Sequence, residues 1–286
     1  MESSDVKGAR LGRDGADHKS GVDEYFRQVS SYWTSIYESD TVEGAIYRLR
    51  EARVLDWTDG LGLPGSSPVL EIGCGAGRTT VALARRGFSV AAIDSAEQMV
   101  EIAARRVRDA GSGNASLAVG DAYSLTERDG SMRLVVAIGV LPWLERPADA
   151  VREIARVIGP GGHAILSADN SARLTYLLDP RFNPIGIPVK RSVRRAILRL
   201  GFWANRPETF SRTHRISEID AFVARAGLVK VAGQTVGFGP FTFLGRPLLP
   251  TQAGIRVHES LQRRADKGVP ALRSGGSNYL VLARKP

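Results

Sequence analysis

Apolar residues recur at helical spacing through Phe26, Val29, Trp33, Ile36 and Tyr37, and a second helical pattern covers 45–57 after a short break. At residue 69 the rhythm changes. A short apolar run, 69–72, enters a glycine cluster and is followed by a helical stretch, 78–86, stopped by Gly87. The alternation repeats as a strand over 88–93 ending at Asp94, a helix over 96–110 closed by Gly111, and short strands over 115–119 and 134–138. A helix over 147–158, stopped by Gly159-Pro160-Gly161-Gly162, then precedes a strand over 163–168. Short apolar runs alternating with helices predict a parallel sheet covered on both faces.

Beyond Asp169 the regularity fails. Residues 171–213 are rich in Pro and Arg, hold one clear helix at 191–200, and read as an insertion. A helix over 217–226 with a serine N-cap, a strand over 228–236 and a last strand over 278–284 resume the pattern, separated by a second excursion, 237–277. The expected organisation is a loose tail, 1–22, N-terminal helices, 23–62, and a core, 63–170. A basic insertion, 171–215, and the end of the sheet with its second insertion, 216–286, follow.

Open parallel sheets bind ligands at the carboxyl ends of their strands, so the residues there carry the chemistry. The first turn, Gly73-Cys74-Gly75-Ala76-Gly77, is not a dinucleotide fingerprint, because the third glycine of that motif would fall at Arg78. Nor is it a phosphate-binding loop, which needs a lysine this turn lacks. Glu71 stands inside an apolar strand just before it, where a pyrophosphate would gain nothing from negative charge. A cationic ligand is indicated. Asp94 follows at the separation from which a carboxylate takes ribose hydroxyls, and Asp121, after the third strand, is placed to accept from an exocyclic amine. With Gly73, Gly75 and Gly77 admitting close backbone approach, these residues describe a pocket for an adenosine that carries positive charge and no phosphate.

At these residues the chain resembles the class I S-adenosylmethionine-dependent methyltransferases, in particular a small-molecule branch similar to quinone-biosynthesis methyltransferases. The resemblance runs from Val69 to Ala168. It implies a Rossmann-like, seven-stranded, mainly parallel sheet with helices on both faces, and N-terminal helices and C-terminal insertions forming a lid. It implies S-adenosyl-L-methionine as cofactor, with Gly73 to Gly77 on the methionine part and Glu71 holding the ammonium through the turn. Asp94 then takes the ribose and Asp121 with Ala122 the adenine; Ser95 and Ile138 belong to the same set. The aromatic helix bearing Tyr25, Trp33 and Tyr37 is expected to close over the sulfonium. Trp143 either lines the acceptor pocket or simply packs. Two departures stand out. Met132-Arg133 opens the fourth strand where the family often has an acidic residue, and Ile138-Gly139-Val140-Leu141-Pro142-Trp143 replaces the Asn/Asp-Pro-Pro-Tyr/Phe motif of enzymes that methylate amide or nucleobase amines. The second argues against an amine-methylating DNA, RNA or protein enzyme.

Composition narrows the setting. The 286 residues are 43% hydrophobic with a formal net charge of +9, and the polar start has no apolar stretch of a targeting signal. No run is long enough to span a bilayer, the single Cys74 cannot form an internal disulfide, and no metal-ligand spacing stands out; a cytoplasmic protein is expected. Arg181, Lys190, Arg191, Arg194, Arg195, Arg199, Arg206, Arg212 and Arg215 concentrate charge in the insertion, interleaved with apolar residues. Such a segment steers an anionic or amphipathic substrate, rests on a membrane surface, or is a solvated face. No nucleic-acid-binding module accompanies it. Methylating a hydroxyl needs a proton removed, and of His18, His163, His214 and His258 the candidate base is His214, which ends the insertion. Oxygen is the expected acceptor atom and carbon the second. An RNA methyltransferase and a non-catalytic binding protein are the alternatives.

Overall fold

The computed structural model describes residues 15–179, 211–244 and 246–286. The helix expected at 191–200 and most of the basic cluster lie outside them. Helices α1 (Gly15–Gln28), α2 (Ser30–Ser35) and α3 (Val42–Gly60) precede the sheet. α1 begins at Gly15, ahead of the expected boundary at residue 23, because the polar stretch before Val22 continues the helix without an apolar rhythm to mark it. The hydroxyl of Thr41 caps α3 by accepting from the Gly44 amide at 3.1 Å.

Strands and helices then alternate: β1 (Pro68–Ile72), α4 (Arg78–Ala84), β2 (Ser89–Asp94), α5 (Glu97–Asp109), β3 (Ala115–Val119), β4 (Met132–Ala137), α6 (Pro147–Val157) and β5 (Ile158–Asp169). A single 3-10 turn, Leu141–Trp143, follows β4. After α7 (Thr175–Leu178) come α8 (Ile216–Arg225), β6 (Val229–Val236), a small hairpin of β7 (Thr242–Phe243) and β8 (Arg246–Pro247), α9 (Thr251–Asp266) and β9 (Asn278–Arg284). Arg215, not a serine, occupies the N-cap of α8, and Ser217 sits inside its first turn. The glycine-proline stretch expected to separate α6 from the fifth strand is itself part of β5: Met132 pairs with Ile158, and the register shifts before Leu134 pairs with His163.

The seven strands lie in the order β3-β2-β1-β4-β5-β9-β6, all parallel except β9, which runs antiparallel between β5 and β6. Successive residues point to opposite faces, so β1 sends Leu70 into one core layer and Val69 into the other, as β4 does with Val135 and Leu134. Helices α6 and α8 cover the first face through Val151, Ile154, Ile219 and Val223, while α3, α4 and α5 cover the second through Val54, Leu83 and Ala103. With both faces buried, these strands read as continuous apolar runs. The chain winds left from β1 to β2 and right from β1 to β4, which opens a crevice at their carboxyl ends.

Candidate functional site

A cavity occupies that crevice. It is lined by Glu71 and Gly73 from β1 and its turn, Asp94 and Ser95 from β2, Asp121 and Ala122 after β3, and Ile138 after β4. Gly75 joins them, and Trp33, Tyr37 and Trp143 face the same space from the opposite side. Three of the candidate residues do not line it: Gly77, Tyr25 and His214 lie elsewhere.

The turn after β1 is held by β2. The amides of Gly73 and Cys74 both donate to the Ile93 carbonyl, at 2.7 and 3.0 Å, and the Gly75 amide donates to Asp94 Oδ2 at 2.9 Å. Asp94 Oδ1 accepts from the Ala96 amide at 3.0 Å, so the carboxylate shapes the turn it was expected only to follow. Gly73 has φ 71°, and a Cβ there would lie 2.4 Å from Val140 Cγ2, so a side chain is excluded by conformation and by space. Gly77 has a different reason to be glycine: at φ 76° it starts α4, and a Cβ would strike Ala103 of α5 at 2.8 Å. It packs two helices together rather than reaching the cavity.

Negative charge is concentrated here at a cost. Glu71 is 3% exposed and accepts from Thr80 Oγ1 at 2.5 Å; burial first, then the nearby Glu51 and Asp94, push its carboxyl up to about 8 against the Thr80 bond. Burial also raises the Asp94 carboxyl, opposed by its backbone amides. These groups are short of positive charge, which suits a cationic ligand. The same cavity holds a buried cation that the sequence pattern had not singled out. Arg50, 5% exposed, lines the cavity from α3, donating to Asn278 Oδ1 at 3.2 Å and to the Tyr37 hydroxyl at 3.3 Å, with Tyr47 beneath its guanidinium. Among the described residues no carboxylate lies within ion-pairing distance of it. The signal was present, because Ile46, Arg50, Val54 and Thr58 recur every fourth residue as the buried stripe of α3, and a cation on such a stripe needs a partner. A ligand with both an ammonium and a carboxylate meets complementary groups on this wall.

The other wall is aromatic. Trp33 contacts Phe26, Tyr47 and Trp143 with ring centroids 5.7–6.5 Å apart, and Tyr25 stacks behind on Trp143 at 5.2 Å. Tyr25 is thus buried support, 6% exposed. The Ser95 hydroxyl donates to Asp23 at 2.7 Å and ties α1 over the end of β2. His214 does reach the sheet edge, its amide donating to the Asp169 carbonyl at 2.8 Å, but its ring is turned away: Nδ1 lies 3.4 Å from Glu218 and the imidazole packs edge-on to Phe222. Among the described residues of that segment and strand, Ser211 and Asp169 line the cavity. His258 is 2% exposed and accepts from the Phe238 amide, a structural bond.

Residues 70–166 match the family model of a methyltransferase domain. Those residues thus form a methyltransferase domain. Relatives of this domain include the ubiquinone biosynthesis O-methyltransferase of Paracidovorax citrulli, 31% identical over 125 residues that span 43% of this chain and 52% of that protein. The chain thus spans about half the length of that relative. The enzyme of the same name from Ralstonia nicotianae is 26% identical over 276 residues, 95% of this chain and 97% of its own length. In fold, the methyltransferase domain and its flanking elements are similar to magnesium protoporphyrin IX methyltransferase from Synechocystis PCC 6803 with bound SAH. That match has a TM-score of 0.62 at 18% identity and covers 94% of this chain and 100% of that one. Among the described residues no helix is long and apolar enough to cross a membrane.

Proposed function

We propose that the protein transfers a methyl group from S-adenosylmethionine to a hydroxyl oxygen of a small acceptor molecule. The observation that carries this reading is the joining, in one cavity, of a charged wall suited to an amino-acid-bearing nucleoside with an aromatic wall suited to a sulfonium and an organic acceptor. Relatives named for O-methylation in ubiquinone biosynthesis support oxygen as the acceptor atom.

In this assignment Arg50 holds the cofactor's carboxylate, the turn at Gly73 and Gly75 with Glu71 behind it holds the ammonium, Asp94 and Ser95 the ribose, and Asp121 with Ala122 the adenine. The bound cofactor supplies a methyl group already activated on sulfur. The protein therefore has to align the acceptor, exclude water and receive one proton. Trp33, Tyr37 and Trp143 align and exclude; in place of the one aromatic helix expected, α1, α2 and the turn after α2 form the lid, with Trp33 on α2 and Tyr37 in that turn. The basic residues beyond Asp169 favour anionic or amphipathic acceptors, at the cytoplasmic face of a membrane or free in the cytoplasm.

Labelled S-adenosylmethionine offered with a panel of hydroxylated, apolar and anionic metabolites tests the reading. The expected result is a methyl ether on one hydroxylated member. Preferential binding of NAD, or transfer only to nitrogen or carbon, overturns it.

A further inference from the structure

The hydroxyl reading needs a proton acceptor, and the ring of His214 does not face the cavity. Five of the cavity's carboxylates besides Asp169 are Asp23, Glu71, Asp94, Asp121 and Glu145. The first four are engaged at the cofactor wall: Asp23 accepts from Ser95, Glu71 from Thr80, Asp94 from two amides of its turn, and Asp121 from the Tyr123 amide. Glu145 is exposed at the rim.

Asp169 differs from all of them. It ends β5 beside the end of β4, where Ser167 Oγ accepts from the Gly139 amide at 2.7 Å and pins the two strand ends together, so that Gly139, Val140 and Asp169 face one space. Its backbone is clamped on two sides, by the antiparallel pair with Asn278 and by the amide of His214. Its side chain is 29% exposed; Oδ2 accepts from the Ser211 hydroxyl at 3.2 Å and lies 3.7 Å from Arg173, while Oδ1 has no partner among the described residues. A carboxylate steered through one oxygen, with the other open to a cavity, is the arrangement a general base requires.

We propose that Asp169, oriented by Ser211, is the catalytic residue that receives the acceptor's hydroxyl proton. This rests on the hydroxyl-acceptor reading above. As the new carbon–oxygen bond forms, the methyl–sulfur bond breaks with its electron pair remaining on sulfur. Asp169 Oδ1 takes the proton and, being partly exposed, passes it to water. His214 then has an indirect part, since its main chain holds Asp169 in place.

The test compares wild type with Asp169→Asn, which keeps shape and the acceptor for Ser211, on ring-substituted catechols of graded hydroxyl acidity, with S-adenosylhomocysteine affinity measured alongside. A general base contributes about 100- to 10,000-fold. The variant should lose a factor of that order on the least acidic catechol, progressively less on nitrocatechols already ionised at the assay pH, and keep its affinity for S-adenosylhomocysteine. Asp169→Glu should recover part of the rate. Equal rates for wild type and Asp169→Asn, or a loss independent of acceptor acidity, overturn the assignment and leave the proposed function standing. An acidity-dependent loss in Glu145→Gln with Asp169→Asn unaffected moves the role to Glu145. A wild type that binds S-adenosylhomocysteine but methylates neither this series nor any hydroxylated member of the metabolite panel overturns the hydroxyl reading itself, and the proposal with it.

Discussion

The two walls of the cavity are built in opposite ways. On the charged wall three strand-end carboxylates are positioned by groups close in sequence or on a neighbouring strand: Asp94 by Gly75 and Ala96, Asp121 by Tyr123, Glu71 by Thr80. On the aromatic and acceptor wall the contacts join distant segments: Tyr25 to Trp143, Ser211 to Asp169, and the Arg212 amide to the Pro142 carbonyl. The first wall is a set of turns held where β1 and β2 lie side by side and where β3 ends. The second exists only once the sheet and its N-terminal helices have assembled. Recognition by the strand-end turns is therefore stored between neighbouring strands, while Arg50, held by Asn278, and the acceptor wall depend on the tertiary structure.

The harshest way to break this division is at Gly73, the position where the walls touch. Gly73→Val forces a branched residue into a left-handed backbone and drives its Cβ into Val140. Strain and overpacking together should cost roughly 2–5 kcal/mol, with S-adenosylhomocysteine binding lost as well. Thermal melts and calorimetry read both. A stable, binding-competent Gly73→Val would show that the turn and Val140 are not coupled.

A milder pair sharpens the contrast within the cofactor's own contacts. Asp94→Asn and Arg50→Met each remove charge-assisted hydrogen bonds, worth about 1.5–3 kcal/mol to the ligand, so each should weaken S-adenosylhomocysteine binding by roughly 10- to 150-fold. Only Arg50→Met should also disturb the Tyr37 side and lower the rate at saturating cofactor, because its guanidinium spans both walls. Indistinguishable kinetic defects would argue that the walls act as one unit.

How much of this was legible beforehand follows the same division. The strand–turn–helix order and the residues Glu71, Asp94 and Asp121 are readable because apolar period and short spacing define them. Gly77 is readable as a required glycine but not for its purpose, since Ala103 lies across a helix interface that no local pattern reveals. Arg50 was hidden among helix residues whose burial depends on β9 arriving beside α3. Asp169 was within reach, because the strand-end rule that selects Asp94 selects it too when carried to β5. The imidazole of His214 drew attention by chemistry, whereas what the fold uses there is its main chain.

Glu71 allows a pH experiment in which stability and binding move oppositely. Its carboxyl sits near pH 8 in the folded protein against about 4.5 ordinarily, so the folded state holds a proton that the unfolded chain releases. The contribution to stability is complete below about pH 4.5 and is lost as pH climbs to 8, and Asp94 acts in the same sense. Binding of a ligand ammonium needs Glu71 ionised, so affinity should instead rise over that interval. Melting temperature and S-adenosylhomocysteine affinity from pH 5 to 8.5 test it, and Glu71→Gln should flatten both curves. Parallel rather than opposed trends would place the ammonium elsewhere.

The smallest effect is expected at His214. Its side chain is 7% exposed, Nε2 is buried without a partner among the described residues, and Nδ1 meets only the half-exposed Glu218 at 3.4 Å. A single contact of that length to a half-exposed side chain contributes about 1 kcal/mol, and removing an unsatisfied buried nitrogen offsets part of that loss. The two bonds that matter, from the His214 amide to Asp169 and from the Ser171 amide to the His214 carbonyl, belong to the backbone and survive substitution. His214→Phe, which refills the space beside Phe222, should therefore change stability by no more than about 1 kcal/mol. Its single-turnover rate should stay within a few-fold of wild type from pH 5.5 to 9. A drop of about a hundredfold that deepens with falling acceptor acidity would instead return the base to the imidazole. A large loss of stability with an unchanged rate profile would mean that the ring supports the fold around Phe222 while the main chain alone keeps Asp169 at the cavity.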